Sequence, residues 1–212
     1  MKFKSLILTI CAAGCICVSG MAQTARQILD KTAGVLKSKE VVEVQFEGTQ
    51  FKGLAESGKA TGKIILKGSK FKIESSELTT WFDGHTQWTL LNGSDEVNVN
   101  TPSKAEMQRM NPYTFVDLYK TNYNLKQAST NYHGNPCYEV RLIAQNAKQD
   151  IQLLIAVIDK KTYLPHSIRL KNAHGEWVRI RVSKMRTLRK LGDEFFRFDT
   201  RKHPGIEVVD LR

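Results

Sequence analysis

Alternating apolar and polar residues dominate the chain from residue 41 onward. In 41–51, Val42, Val44 and Phe46 alternate with acidic and amide side chains. A period of two is typical of a strand with one buried and one solvent-facing side. The alternation recurs in about ten or eleven segments, and one of the late segments holds Phe196 and Phe198. This pattern predicts an antiparallel sheet with one wet face and one apolar face.

Two regions carry helical signals instead. Residues 24–27 fit a capping box, and apolar residues recur at helical spacing over 25–36. Residues 103–106 form a second capping box, and Asn111 before Pro112 places an N-cap residue before a first-turn proline. We therefore predict an N-terminal helix and two short helices between two blocks of strands. The apolar residues of the short helices include Met107, Met110, Phe115 and Leu118.

A mostly β (α+β) fold follows, with one large curled antiparallel sheet and few helices. A sheet of this width does not stay flat. Because the few helices cover its concave apolar surface only in part, the geometry predicts a hydrophobic cavity. The residues expected to line this cavity are Val44, Phe46, Ile64, Leu66, Phe71, Ile73, Trp88, Leu90, Val97, Val99, Met107, Met110, Phe115, Leu118, Val140, Leu142, Leu153, Ile155, Ile168, Leu170, Val178 and Ile180.

The first residues have the three parts of a secretory signal peptide. Lys2 and Lys4 precede an uncharged apolar run over 5–18, and small residues at Gly20 and Ala22 fit a cleavage site. A transmembrane helix needs roughly 20 apolar residues, which disfavours an uncleaved anchor. We predict cleavage after Ala22, which places the protein outside the cytoplasm.

The remainder, 23–212, contains no linker, repeat or low-complexity stretch, and we interpret it as one domain. An alternative N-terminus is open, because 12–15 resemble a weak lipobox that would make Cys15 a lipidated residue. Cys11, Cys15 and Cys17 all lie in the predicted leader, which leaves Cys137 alone in the mature chain. A single cysteine forms no internal disulfide, so we expect the core to hold the fold.

The charge of the chain is strongly basic. Its formal net charge of +11 becomes +9 once Lys2 and Lys4 are removed with the leader. The basic residues are spread along the strands, which favours a solvated basic face over a dedicated binding patch. Because the aromatic residues fall at core positions, exposed stacking platforms for nucleic acid are missing, and we expect no nucleic-acid partner.

Catalytic signatures are missing from the sequence. None of the common nucleophile, metalloprotease, phosphate-binding or dinucleotide motifs occurs. The histidines fall mostly at turns, and none pairs with another at metal-ligand spacing; they are His85, His133, His166, His174 and His203. Cys137, next to Pro136, is typical of a packed strand residue. We expect neither an enzyme nor a cofactor or metal ion.

The order and spacing of several segments resemble the periplasmic outer-membrane lipoprotein carrier (LolA) family. The resemblance covers essentially the whole mature sequence and begins with the N-terminal amphipathic helix. The hairpin at 83–88 (DGHTQW) resembles the family's D-G-k-t-x-W, and the end of the chain resembles its F-x-F-x-x-P-x-G-V-x-V-x-D. The segments are Val44-Gln45-Phe46, 61–67, 71–73, 83–88, Asn111-Pro112, 196–199 and 204–212.

The resemblance implies a fold and a function. The fold is an incomplete β-barrel with helices as a lid over the hydrophobic cavity. The function is to receive acylated lipoproteins from an inner-membrane ABC transporter and deliver them to the outer membrane, as a monomer with an acceptor that the sequence does not name. Proteobacterial carriers have a gating arginine on the strand matching 64–67, whereas this chain has Lys67 and Gly68 there. A lipid-sensing or regulatory envelope domain on the same scaffold is the alternative.

Overall fold

A computed structural model describes residues 23–103, 106–107 and 118–212. One long helix, α1 (Ala25–Lys37), precedes the strands. Two single-turn 3₁₀ helices, Asp193–Phe196 and Thr200–Lys202, lie between the last two strands. The twelve strands in this part of the chain are β1 (Val42–Lys52), β2 (Ala55–Lys67), β3 (Lys70–Ser75), β4 (Leu78–Phe82), β5 (Gln87–Leu91), β6 (Glu96–Asn100), β7 (Tyr123–Tyr132), β8 (Asn135–Ala144), β9 (Ile151–Asp159), β10 (Pro165–Asn172), β11 (Trp177–Thr187) and β12 (Glu207–Asp210).

The capping box predicted at the start of α1 is confirmed. The backbone N–H of Gln27 donates to the Thr24 hydroxyl, and the backbone N–H of Thr24 donates to the Gln27 amide oxygen. Two donors that the first turn leaves unpaired are thereby satisfied. Ser103 and Glu106 exchange the same pair of bonds.

All twelve strands belong to one sheet, in the order β12-β6-β5-β4-β3-β2-β1-β11-β10-β9-β8-β7. Neighbours pair antiparallel except β12, which runs parallel to β6. Within the described residues, β12 and β7 do not pair with each other, so the sheet does not close into a barrel. The fold is therefore mostly β, with one large open sheet, as the sequence predicts.

The main hydrophobic core lies between α1 and one face of the sheet, which we call the inner face. Ile28 and Leu29 of α1 are fully buried in a cluster that joins Val44 and Phe71 from one half of the sheet to Val140 from the other. Because strands far apart in the sheet order contribute to one cluster, the sheet curls around α1.

The opposite face, called the outer face, is covered in part by the segment after β11. Phe196 is fully buried with Val41 and Ile65 on this side. Phe198 packs edge-on against Trp81, with ring centroids 5.4 Å apart. The prediction that Phe196 and Phe198 lie on a strand is wrong. Phe196 is the last residue of a 3₁₀ helix. Its ring and the Phe198 ring pack on the outer face of the sheet, so neither residue lies in a strand.

Strand β7 is absent from the sequence-based prediction. It lies at the edge of the sheet, and most of its side chains are polar and exposed, so it lacks the apolar alternation of the inner strands.

Of the two predicted short helices, Met110, Asn111, Pro112 and Phe115 lie outside the described residues. In the part of the chain that the structure describes, we find no helix with the length and hydropathy needed to cross a membrane.

Candidate functional site

Many of the residues that were predicted to line the cavity lie under α1, where they fill the space between the helix and the inner face. We call this packed region the floor. The members that are fully or nearly fully buried in the main cluster are Val44, Ile64, Phe71, Leu118, Val140, Leu142 and Ile168. Partly buried members pack around them: Phe46, Leu66, Ile73, Met107 and Leu170. The structure brings these residues together on one face of the sheet. The floor is therefore a packed core under α1, and the open part of the inner face lies beyond it.

That open part is a trough, defined here by Phe46, Leu170, Val178, Ile180 and Val182. The strand register places them side by side, because Phe46 pairs with Val182 and Val178 pairs with Leu170. All five side chains are only partly buried. A row of apolar side chains that no other part of the described chain fully covers is the kind of surface that binds apolar ligands.

Small residues deepen the trough beside Phe46. Gly48 pairs with Ile180 on one side and with Ala60 on the other, and Gly62 pairs with Phe46. A Cβ at Gly62 would lie 3.2 Å from the Phe46 ring and 2.5 Å from the Glu74 carbonyl oxygen. Only glycine fits there, because the backbone carbonyl of Glu74 lies too close for a Cβ.

A cavity of about 370 Å³ opens at the end of the trough. Its apolar wall is formed by Ile151, Leu170, Val178 and Ile180. Its polar rim includes Gln50, Asp150, Asn172, His174 and Glu176. At about 30 Å³ per group, the share that one water molecule has in the liquid, the cavity has room for about 12 methylene-sized groups.

Polar contacts hold the start of α1 against the rim of the sheet. The Gln23 amide oxygen accepts hydrogen bonds from the hydroxyls of Tyr138, at 2.9 Å, and Tyr163, at 2.7 Å. The ammonium of Lys31 lies over the Tyr163 ring, 5.0 Å from its centroid. The Tyr119 hydroxyl donates to the carboxylate of Asp30. These contacts are few and lie near the surface, so they fix the position of α1 without burying it further.

Leu153 and Ile155 require a correction, because they lie on the outer face. Leu153 pairs with Lys171, and Ile155 pairs with Arg169. A bulge after Ile151 shifts the alternation: Ile151 and Leu154 both join the inner cluster, although they are three residues apart. Every residue over 153–158 is apolar, so the sequence offers no polar position that reveals this shift.

Trp88, Leu90, Val97 and Val99 also lie on the outer face. Trp88 pairs with Trp81, whose ring packs against Phe198 and which is followed by the inner-face residue Phe82. Leu90 pairs with Val97, and Trp88 with Val99, so all four share a side. Both faces of this half of the sheet carry apolar residues, so alternation alone does not identify the inner one.

The sequence analysis also missed members of the inner face. The residues that join the cluster without having been predicted as lining include Val42, Phe82, Ile151, Leu154, Ala156, Ile158, Val182 and Met185. Val182 was identifiable, since it continues the alternation of Val178 and Ile180.

Lys67, beside the position of the family's gating arginine, instead donates to the Leu191 carbonyl and to the Asp193 carboxylate, at 2.7 and 2.9 Å. It therefore anchors the segment that covers the outer face.

Comparison with known proteins supports the fold. The sequence pattern described as "Outer membrane lipoprotein carrier protein LolA" matches residues 17–174. No curated protein sequence that was compared matches the chain significantly.

Three solved structures illustrate the structural similarity. An uncharacterized conserved protein from Thermus thermophilus superposes with a TM-score of 0.59 at 11% identity, over 89% of this chain and 99% of that chain. The lipoprotein LppX from Mycobacterium tuberculosis gives 0.51 at 10% identity, over 79% and 98%. A LolA superfamily protein from Nitrosomonas europaea gives 0.44 at 14% identity, over 84% and 99%.

Proposed function

Because the chain belongs to the outer membrane lipoprotein carrier protein LolA family, we propose that it is a periplasmic carrier that shields the acyl chains of lipoproteins between the inner and the outer membrane. The observation that carries the proposal is the trough, a partly buried apolar surface on the inner face of an open sheet. A binding function of this kind needs no catalytic residue.

The hydrophobic effect explains why such a carrier is needed. Each methylene moved from an apolar environment into water costs about 0.8 kcal/mol. Three acyl chains carry about 40 methylenes, so exposing them costs roughly 30 kcal/mol. An unshielded lipoprotein therefore does not leave its membrane at a useful rate. A carrier lowers this cost by offering an apolar surface, and its weak packing allows release.

The size of the cavity implies that α1 moves during binding. Room for about 12 methylene-sized groups falls short of about 40. We propose that α1 lifts away from the inner face to enlarge the space for acyl chains. Exposing Ile28 and Leu29, which are fully buried, costs about 1.5–3 kcal/mol each. Covering the remaining acyl methylenes yields several times as much, so cargo stabilises the lifted state.

The proposed pathway has an origin and a destination. The leader predicted at 1–22 delivers the protein to the periplasm, where a cleaved N-terminus at Gln23 leaves it free to cross. We propose that a lipoprotein-releasing ABC transporter of the inner membrane loads the carrier, which acts as a monomer and delivers to an outer-membrane acceptor. The Gln23 side chain accepts hydrogen bonds from the hydroxyls of Tyr138 and Tyr163, so the proposed first residue of the mature chain helps to hold α1 against the sheet.

A matched pair of variants tests the proposal. Leu170→Glu places a carboxylate in the trough, and Leu153→Glu makes the same change on a partly buried leucine of the outer face, next to Lys171. A triacylated lipoprotein in detergent is diluted below the critical micelle concentration with each protein. The amount that stays in the supernatant after ultracentrifugation is then measured.

We expect Leu170→Glu to lower this amount at least tenfold, because a charge must be desolvated against each acyl chain. Leu153→Glu should match the unaltered protein. Equal capture by both variants would rule out the trough as the binding surface. Capture without later transfer to lipid vesicles would favour the lipid-sensing domain over the carrier.

A further inference from the structure

A second cluster of functional side chains lies on the outer face, away from the trough. We propose that Cys137, Asp159 and His166 form a binding site for a divalent transition-metal ion, with Zn²⁺ as the best match. Their ligand atoms all lie within 4.8 Å of one another. The proposal is independent of lipid binding.

Three neighbouring strands bring these residues together. Cys137 of β8 and Asp159 of β9 are directly opposed across the strand pair. His166 lies at an irregularity between Pro165 and Ser167 of β10, where the register with β9 shifts. Such a bulge redirects a side chain, and here it turns the imidazole toward Asp159. The Nε2 atom of His166 lies 3.4 Å from Oδ2 of Asp159.

The Asp159 carboxylate is held with one oxygen directed at the cluster. Its Oδ1 accepts hydrogen bonds from the backbone N–H groups of Lys161 and Thr162 and from the Thr162 hydroxyl, at 2.7–3.0 Å. Burial raises the pKa of Asp159, but these bonds and His166 outweigh it and lower that pKa overall. The group is therefore an anion whose Oδ2 remains directed toward His166.

The imidazole of His166 is positioned independently by Tyr132. The two rings stack with centroids 5.3 Å apart and an angle of 13° between their planes. A ring held on one face keeps its nitrogens in a fixed plane, which reduces the ordering cost of ligation. The side chains of His166 and Asp159 are 30% and 15% exposed, so an ion can reach them from solvent.

The ligand types select the ion. A thiolate, an imidazole and a carboxylate are common zinc ligands, and three protein ligands leave a fourth position for water. Tetrahedral bonds of about 2.0–2.3 Å place ligand atoms roughly 3.3–3.8 Å apart. The Asp159–His166 distance is already in that range. The sulfur of the buried Cys137 lies within 4.8 Å of both other ligand atoms, and we propose that it moves closer when an ion binds.

Metal binding also changes the protonation of Cys137. Burial is the main cause that raises the pKa of this thiol, and the Asp159 charge adds to it, whereas a hydrogen bond with the Tyr132 backbone and the Lys160 charge oppose it. The metal-free thiol therefore keeps its proton. Binding forms the metal–sulfur bond and breaks the S–H bond, and the proton passes to solvent, so charge and atoms balance without a redox partner.

The test uses Co²⁺ as a spectroscopic substitute and Zn²⁺ in calorimetry, with the purified, metal-stripped protein. We expect one ion per chain and a thiolate-to-cobalt charge-transfer band. Because Cys137 is the only cysteine in 23–212, the band reports this site alone. Cys137→Ser should abolish the band, and His166→Gln should weaken Zn²⁺ binding at least about 100-fold.

Two controls keep the test decisive. His85→Gln removes an exposed histidine of the 83–88 hairpin, outside both the cluster and the cavity, and should bind Zn²⁺ like the unaltered protein. Circular dichroism confirms that each variant is folded, and His166→Gln, at a partly exposed position, tests the site if Cys137→Ser unfolds. Sub-stoichiometric binding, or an affinity that His166→Gln leaves unchanged, would overturn the proposal.

Discussion

Ile28→Ala tests whether α1 opens as a separate unit. Ile28 is fully buried between α1 and the inner face. Removing such a side chain costs about 2–5 kcal/mol. If α1 lifts away in the open state, Ile28 is already exposed there. The loss of packing free energy therefore destabilises only the closed state. At 1.4 kcal/mol per tenfold, the population of lifted helix rises roughly 30- to 4,000-fold.

Native-state hydrogen exchange measures this population directly. In the regime where closing is fast, the exchange rates of the amides in Ala25–Lys37 report the opening equilibrium. Ile28→Ala should raise these rates by the stated factor, and the amides of β1 and β9 should respond only to the loss of global stability.

Phe196→Ala is the matched control. Phe196 is also fully buried, but it contacts Val41 and Ile65 on the outer face and not α1. The change should cost about 3–5 kcal/mol of global unfolding free energy without selectively loosening α1. If both variants accelerate α1 and sheet amides by the same factor, α1 opens only when the whole protein unfolds, and the reasoning about a moving helix is refuted.

The structure supports three further predictions. Thr24→Ala removes the helix cap, which costs about 1 kcal/mol, and should raise α1 exchange about fivefold. Gly62→Ala places a Cβ 2.5 Å from the Glu74 carbonyl oxygen and should lower the unfolding free energy in urea by about 1–3 kcal/mol. The control Gly34→Ala, with nothing within 4 Å, should be neutral or stabilising. Asp193 has its pKa lowered from 3.8 to about 2 by hydrogen bonds from Lys70 and Lys67. Because the folded-state pKa of Asp193 is lowered, its ion pairs stabilise the fold above pH 3.8, and this stabilisation is lost as the pH falls through 2. The melting temperature of Asp193→Asn should therefore lie below that of the unaltered protein at pH 7 and converge with it near pH 2, whereas a constant difference would exclude this ion pair as the cause.

Local patterns predicted most of the fold because they report local forces. Alternation over Val42, Val44 and Phe46 corresponds to one side of β1, and both capping boxes formed as expected. The pattern failed where both faces of a strand are buried. Over 153–158 every residue is apolar, so only the bulge after Ile151, which belongs to the pairing with β10, decides which side faces inward.

Contacts between distant segments explain the remaining differences. Phe196 packs on the outer face against Val41 and Ile65, which are distant in sequence, and therefore does not lie in a strand. Cys137, Asp159 and His166 show no metal-ligand spacing along the chain, because three strands and their register bring them together. Information of this kind lies in the sheet order and not in any short window of sequence.

Native mass spectrometry of the protein, purified from its host without detergent, tests the carrier function most directly. The account predicts a fraction with the added mass of an acylated protein. That fraction should persist in Leu153→Glu and disappear in Leu170→Glu. If the unaltered protein carries no acylated cargo and captures none from detergent, the central claim is contradicted.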